Sequence, residues 1–370
     1  MKKNSKSLLI VSSEFPPQPG GIGNHAYNLA YQLNSHGFEV SVITDARSTS
    51  GHEEKRFDKE LPFEVLRVWV KRPRLLMYIK RLLLLRKALK NHCVIIASGK
   101  FSLWSVSWFS WFYRRHYLAV VHGTEVNFKS FPVKLMVNLS LIRFPKIIAV
   151  SSYTKLLLKQ TFQRKTTVIP NGVDETKWNT KAASNISIKG APKLITVGNV
   201  TERKGQIQVI EHLPMLIKTY PQIHYHCVGI PTEQENCLQK AKTLGVENHV
   251  TFHGRVSHND LISLVGTSDI FVMLSTETET GDVEGFGIAI IEANTLGIPA
   301  IGSKNNGIED AVQNEKSGVL IDAMDTSAFI NAIETILSNK ETFSKQASIW
   351  ANQHRWEEII KQYIDVIEDL

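Results

Sequence analysis

The chain has 370 residues, 43% of them hydrophobic and 21% charged, an ordinary globular composition. A single core rarely grows past about 250–300 residues, so two domains are expected. Its three cysteines, Cys93, Cys227 and Cys237, make no close pair and no CxxC; this argues against a disulfide framework or a Cys-based zinc site and fits a reducing compartment.

In chain order, the first apolar stretch runs only from Leu8 to Val11. It is shorter than the ~7–15 residues of a signal-peptide core and reads as a buried strand. No stretch reaches the ~18 uncharged apolar residues of a membrane span, so a soluble or peripheral protein is expected. A Pro/Gly loop leads into a helix from about Asn24 to Ser35, with Ala26, Leu29, Ala30 and Leu33 on one face and Gly37 at its end. Phe38 to Thr44 and Val65 to Val70 read as strands. Arg72 to Lys90 has a helical period, with Ile79, Leu82, Leu83 and Leu89 sharing a face and Lys80, Arg81 and Lys87 opposite. Val94 to Ala97, Leu118 to Val121 and Lys146 to Val150 read as buried strands, the first two separated by the aromatic segment FSLWSVSWFSWFY.

A second alternation follows the polar stretch Asn179 to Ala191. Its expected strands are Leu194 to Val197, His224 to Val228, His249 to Phe252, Ile270 to Leu274, Pro299 to Gly302 and Gly318 to Ile321. Its expected helices are Gln206 to Thr219, Cys237 to Leu244 and Asn259 to Val265. Repeated strand–helix alternation predicts an α/β protein with parallel, doubly wound sheets. Trp350 to Leu370 reads as a helix outside the second alternation that returns to the first half.

Charge is unevenly spread. From Val65 to Val173 there are 20 Lys and Arg and one acid, Glu125, so this segment carries +19 of a chain total of +8 and the remainder carries −11. Any single Lys here is readily a solvated surface residue, but the whole segment implies an anionic partner: phosphate, membrane surface or nucleic acid.

Four constellations carry chemistry. Pro19-Gly20-Gly21-Ile22-Gly23 links the first strand to its helix, where glycines and helix N–H groups can approach a diphosphate; a plain tight turn is the alternative. His122, in VVHGTE, sits at the carboxyl end of a buried strand, where open α/β sheets bind ligands; a structural histidine is the alternative. In VGNVTERKG, Arg203 and Lys204 lie at an expected helix start, unfavourable unless an anion such as a diphosphate sits there; two solvated charges are the alternative. The strongest is EGFGIAIIE. Glu284 precedes a helix and Glu292 lies on it, with Gly285 and Gly287 freeing the loop, so the two carboxylates can grip hydroxyls of a sugar and of a ribose.

At EGFGIAIIE the sequence resembles the retaining glycosyltransferases of the GT-B fold, family four (glycosyl transferases group 1), whose signature is Glu, seven residues, Glu. The resemblance extends over the GGIG loop, HGTE, IIAVSSYTKLLL, VIPNGVD, VGNVTERKG and GIPAIGSKNNGIEDAV. It implies two Rossmann-like domains facing a central cleft: residues 1–178 for the acceptor, 179–349 for the nucleotide-sugar donor, and 350–370 as a helix crossing back to the first. It implies that Glu284 holds donor-sugar hydroxyls and Glu292 the ribose. Arg203 and Lys204 would neutralise the diphosphate, helped by backbone N–H groups at Gly21, Phe286, Gly287 and Ile288. His122 would lie beside the bond that breaks, and Val256 would contact the base through its backbone. Asn199 stands where many relatives carry Arg, and Arg203 is expected to supply that charge. Asn306-Gly307 replaces the usual Gly-Gly, with a conformational effect expected because Asn tolerates the same backbone region.

The expected activity is transfer of a hexose-type sugar, with retention, from a UDP- or GDP-sugar to a glycan or lipid-linked acceptor in cell-surface polysaccharide biosynthesis. No DxD lies near the donor motifs and Asp282 stands alone, so no metal and no cofactor are expected, with two cations in a metal's place. The basic half, with its Arg72–Lys90 helix and neighbouring tryptophans, points to an anionic membrane surface on the inner face of a cytoplasmic enzyme's cell membrane. Its Leu face packing on the sheet is the bland alternative. A nucleotide-sugar epimerase would share the donor site; a phosphorylase or a nucleic-acid-binding protein has no matching motif, and nucleic acid is not an expected partner. The acidic loop Glu277 to Val283 has no assigned role.

Overall fold

The computed structural model describes residues 7–18, 20–48, 50–70, 74–178 and 186–370. Pro19 of the first glycine loop, Arg72 at the expected start of the third helix, and residues 179–185 of the expected linker lie outside the described residues. The chain divides into two compact units, Met1–Gly172 with Trp356–Leu370, and Val173–Arg355.

The first unit is built on seven parallel strands: β1 (Ser7–Ser12), β2 (Glu39–Ala46), β3 (Glu64–Trp69), β4 (Val94–Ser98), β5 (His116–Val121), β6 (Lys146–Ala149) and β7 (Thr166–Val168), ordered β3-β2-β1-β4-β5-β6-β7. Apolar runs such as Leu8 to Val11 and Val94 to Ala97 are wholly buried, as strands covered on both faces must be. Helix Gly21–Ser35 buries Ala26, Leu29, Ala30 and Leu33. The terminal helix, Trp356–Glu368, packs against it and buries Trp356, Ile359, Ile360, Tyr363 and Ile367, a stripe at helical spacing. His25 Nε2 and the Tyr363 hydroxyl hydrogen-bond at 2.9 Å within this contact.

The second unit has six parallel strands: β8 (Lys193–Val197), β9 (His224–Val228), β10 (Val250–Gly254), β11 (Ile270–Met273), β12 (Ala300–Ser303) and β13 (Gly318–Ile321), ordered β10-β9-β8-β11-β12-β13. Strand order reverses between β8 and β11, so their carboxyl-end loops diverge and leave a ligand crevice between them. This is the α/β doubly wound pattern read from the sequence.

The unit boundaries differ from those expected. Residues 173–178 belong to the second unit, because the Val173 N–H donates to the His354 carbonyl at 2.7 Å, Arg355 pairs with Glu175, and Trp178 packs edge-on against His258. Trp350 belongs to helix Lys340–Gln353, held in the second unit by its Nε1–H bond to the Ala311 carbonyl at 2.9 Å. The returning helix therefore starts at Trp356, where the indole lies so close to Gly172 that a Cβ there would come within 2.6 Å.

Helix Arg74–Ala88 also differs from its expected facing. Met77, Arg81 and Leu85 point inward, whereas Ile79 and Leu83 are exposed. Arg81 turns inward because its guanidinium pairs with the buried Asp45 of β2 and lies 4.0 Å from the centre of the Phe101 ring. Burial pushes the Asp45 carboxyl up, and Arg81 partly offsets this. Arg81→Ala is expected to cost about 3–5 kcal/mol in urea unfolding by stranding a buried carboxylate. The double variant Asp45→Leu/Arg81→Met should cost clearly less, and equal losses would show that the pair is not the reason for the inward turn.

Candidate functional site

The loop after β8 is shaped by its backbone. A short 3-10 turn, Glu202–Lys204, ends at Gly205, which has φ +78° and caps helix Gln206–Thr219. A Cβ at Gly205 would meet the Leu274 carbonyl oxygen at 2.1 Å, so only glycine lets the helix start against the end of β11. Buried Gln206 clamps the loop from within: its Nε2 donates to the Asn199 carbonyl at 3.2 Å and its Oε1 accepts from the Thr201 N–H at 3.4 Å. Arg203 and Lys204 thus project from the turn just ahead of the helix, whose bounds are those expected from the sequence.

Glu284 comes from the loop after β11. Its carbonyl accepts from the Gly307 N–H at 2.9 Å, and a Cβ on Gly307 would come within 2.1 Å of the Gly285 oxygen. Phe286 is buried, its ring 5.9 Å from that of His354. Gly287, at φ +84°, then starts helix Ile288–Thr295 with no side-chain cap, leaving first-turn N–H groups available to an acceptor from outside.

These loops bring four charges together. Glu284 Oε2 accepts from Lys204 Nζ at 2.7 Å and from the Arg203 Nη1, while Arg203 Nε donates to Asp282 Oδ2 at 3.1 Å. Burial alone would raise Glu284, but Lys204 and Arg203 hold it down at about 2. Two cations and two carboxylates balance, so no outside anion is needed to tolerate the adjacent Arg and Lys. This corrects the sequence argument that the two cations call for an external anion, and it gives Asp282 a part that the sequence did not suggest, as a partner of Arg203.

Glu292, one turn into the helix, is half-buried and has no ion pair among the described residues. Burial pushes it up to about 7, with Lys204 and Lys177 pulling the other way. Lys204 therefore acts on both signature glutamates. Asn199 is exposed and contributes its carbonyl to the loop clamp. Val256 follows β10 at the sheet edge, two strands from β8, and takes no part in the charge cluster. Asn306 does not use the left-handed region that was expected; its φ is −156°, and Asn305 beside it takes +63°. Asn306 acts through its side chain, donating to the Ser275 carbonyl at 3.1 Å and accepting from the Ile308 N–H at 2.9 Å.

In the first unit, His122 follows β5. Its Nε2 lies 2.9 Å from Ser98 Oγ, and its own N–H donates to Glu125 Oε1 at 2.6 Å. Burial lowers the imidazole to about 4, so it is neutral near neutrality, and raises Glu125 to about 7. His25 meets His122 edge-on at 5.0 Å between ring centres. Gly21 opens helix Gly21–Ser35, and a Cβ there would meet open space. Gln206, Lys177, Ser98 and His25 were not singled out by sequence, and Asp282 was weighed there only as a metal ligand. Only Asp282, two residues before Glu284, carried a signal that spacing could have found.

Residues 19–177 match the family described as Glycosyltransferase Family 4, and residues 178–356 that described as Glycosyl transferases group 1. The chain belongs to the family-four glycosyltransferases. It is 26% identical over 264 residues to a GDP-mannose-dependent alpha-(1-6)-phosphatidylinositol monomannoside mannosyltransferase of Mycobacterium tuberculosis, spanning 68% of this chain and 69% of the relative. A GDP-mannose-dependent monoacylated alpha-(1-6)-phosphatidylinositol monomannoside mannosyltransferase of Corynebacterium glutamicum is 24% identical over 90% of both chains. In fold it is similar to HepE of Anabaena, solved with UDP and glucose, at a TM-score of 0.79 and 20% identity over 99% of this chain and 100% of that one. The GT-B fold and glycosyl transfer from a nucleotide-sugar donor follow, and nothing supports the epimerase alternative.

The raised Glu292 gives a test with a definite sign. In the unfolded chain it ionises near 4.5, and in the fold near 7. The native state holds the extra proton, so stability from this group is greatest below 4.5 and is lost as pH rises through 7. Glu292→Gln should raise Tm at about pH 8 and have little effect at about pH 4. An equal change at both would contradict the placement of this carboxylate.

Proposed function

We propose that the protein transfers a hexose from a UDP- or GDP-sugar to a hydroxyl of a glycan or lipid-linked acceptor, with retention of configuration and without a metal ion. The cluster of Arg203, Lys204 and Glu284 beside the N-terminus of helix Ile288–Thr295 carries this reading. A donor diphosphate would exchange with the carboxylates for Arg203 and Lys204 and take N–H groups at Phe286, Gly287 and Ile288. Glu284, released in part from its ion pairs, would turn to the hydroxyls of the sugar, and Glu292 to those of the ribose. Val256 would meet the base through its backbone.

In the reaction the bond from the anomeric carbon to the β-phosphate oxygen breaks, and the acceptor oxygen bonds that carbon on the same face. The acceptor proton passes to the departing phosphate. The leaving diphosphate gains negative charge, which two fixed cations and oriented N–H groups stabilise without reorganisation. Two adjacent cations supply what a divalent metal would otherwise supply. Gly21 and His122, in the other unit, are given their parts by the family resemblance: a backbone N–H for the diphosphate and a neutral imidazole beside the sugar. The named mannosyltransferases act with GDP-mannose, which favours a mannosyl donor and a glycolipid acceptor.

Ligand-induced stabilisation tests this directly. With EDTA present, GDP or UDP at about 100 times its Kd should add about 2.7 kcal/mol to the wild type. The gain should be lost in Arg203→Ala and Glu292→Ala. No gain from any nucleoside diphosphate, or a gain only with added divalent metal, would overturn the proposal.

A further inference from the structure

The first unit carries an exposed apolar face that its topology makes continuous. The connections β3 to β4, β4 to β5 and β5 to β6 all step the same way across the sheet. Right-handed crossovers then place their helices, Arg74–Ala88, Lys100–Phe109 and Phe131–Ile142, on one side of it. The helices are in contact in that order. Tyr78 stacks on Phe101 at 5.2 Å between the first and second, and Arg143 lies 4.3 Å over the Trp111 ring at the ends of the second and third.

Each helix buries one stripe on the sheet and leaves a second apolar stripe outward. On the first helix the outward stripe is Leu76, Ile79 and Leu83. At the end of the second it is Trp108, Trp111 and Phe112. On the third it is Phe131, Leu135, Leu139 and Ile142, at helical spacing. Thirteen of the twenty exposed large apolar side chains among the described residues fall on these three helices or the turn after the second. Scattered singly they would need no explanation, but gathered on one face they mark an interaction surface.

The charge on this face selects its occupant. Exposed Lys80, Arg86, Lys87 and Lys134 lie among the apolar groups. The only acid between residues 65 and 173 is Glu125, which is buried. An apolar face ringed by cations, with tryptophans at its edge and no acid, fits a bilayer of anionic lipid, which takes apolar side chains into its interface and lysines at its headgroups. No described helix is long and apolar enough to cross a membrane.

We propose that this three-helix face docks the protein on an anionic membrane surface. Both the apolar and the basic side chains contribute. This places the enzyme where a lipid-linked acceptor is presented, and none of the residues of this face belongs to the donor cluster.

Flotation with vesicles tests it. The full-length protein should float with vesicles of phosphatidylcholine containing about one-third phosphatidylglycerol, and stay unbound with pure phosphatidylcholine. The variant Trp108→Ser/Trp111→Ser/Phe112→Ser should lose about tenfold or more in affinity, as should Lys80→Ser/Arg86→Ser/Lys87→Ser, the latter mimicked by high salt. Both variants should keep the wild-type Tm and the response to nucleoside diphosphate, which separates failure here from failure of the donor reading. Absence of binding to anionic vesicles overturns the proposal. So does undiminished binding by both variants, or a solution dimer that the aromatic variant splits while neither form binds vesicles.

Discussion

A carboxylate kept ionised out of water by two neighbouring cations is the constraint around which the second unit is arranged. Glu284 is stable as an anion at 9% exposure only because Arg203 and Lys204 converge on one of its oxygens. Those side chains are some 80 positions away in sequence (Arg203 and Glu284 are 81 apart) and meet because β8 and β11 are neighbours in the sheet. The backbone is shaped to the same end. Gly205 lets the loop after β8 turn against the end of β11, and Gly307 lets the loop after β12 press against Gly285. A side chain at either position would separate the charges, and Glu284 would then face the cost of a stranded buried ion.

The two signature glutamates are chemically unlike. Glu284 is an anion down to about pH 2, whereas Glu292 exchanges its proton near 7. Their sequence spacing treats them as equals; their surroundings do not. Lys204 is the link, bonded to the first and attracting the second. Any anion that draws Lys204 away loosens Glu284 and makes Glu292 harder to ionise. Binding of an anion at Lys204 is therefore coupled to the state of both glutamates. In the first unit burial works the other way on His122 and Glu125, leaving a neutral imidazole whose backbone N–H is held by a carboxyl that itself titrates near 7.

Much of this architecture was legible in the sequence because parallel strands buried on both faces leave unbroken apolar runs. β9, helix Gln206–Thr219 and β13 lie where the pattern put them. β7 was missed because Thr166–Val168 is three residues long with two threonines, and helix His52–Lys59 because it is nearly all charged and buries chiefly Glu54. The facing of helix Arg74–Ala88 was misread for a different reason. Its apolar residues occupy two stripes, and periodicity cannot say which stripe meets the sheet. Asp45, 36 positions away, decides it by claiming Arg81. At the site, residue types and order were visible, but pairing was not. The argument that Arg203 and Lys204 demand an external anion failed because Asp282 and Glu284 supply the charge from a loop 79 to 81 positions on.

The central claim is that this charge cluster is a phosphate position closed by its own carboxylates. A crystal structure of the protein with bound nucleoside diphosphate tests it most directly. The account predicts phosphate oxygens on Arg203 and Lys204 and at the N–H groups of Gly287 and Ile288, with Glu284 no longer bonded to both cations. A diphosphate bound elsewhere, with the Arg203–Glu284–Lys204 contacts intact, would contradict it.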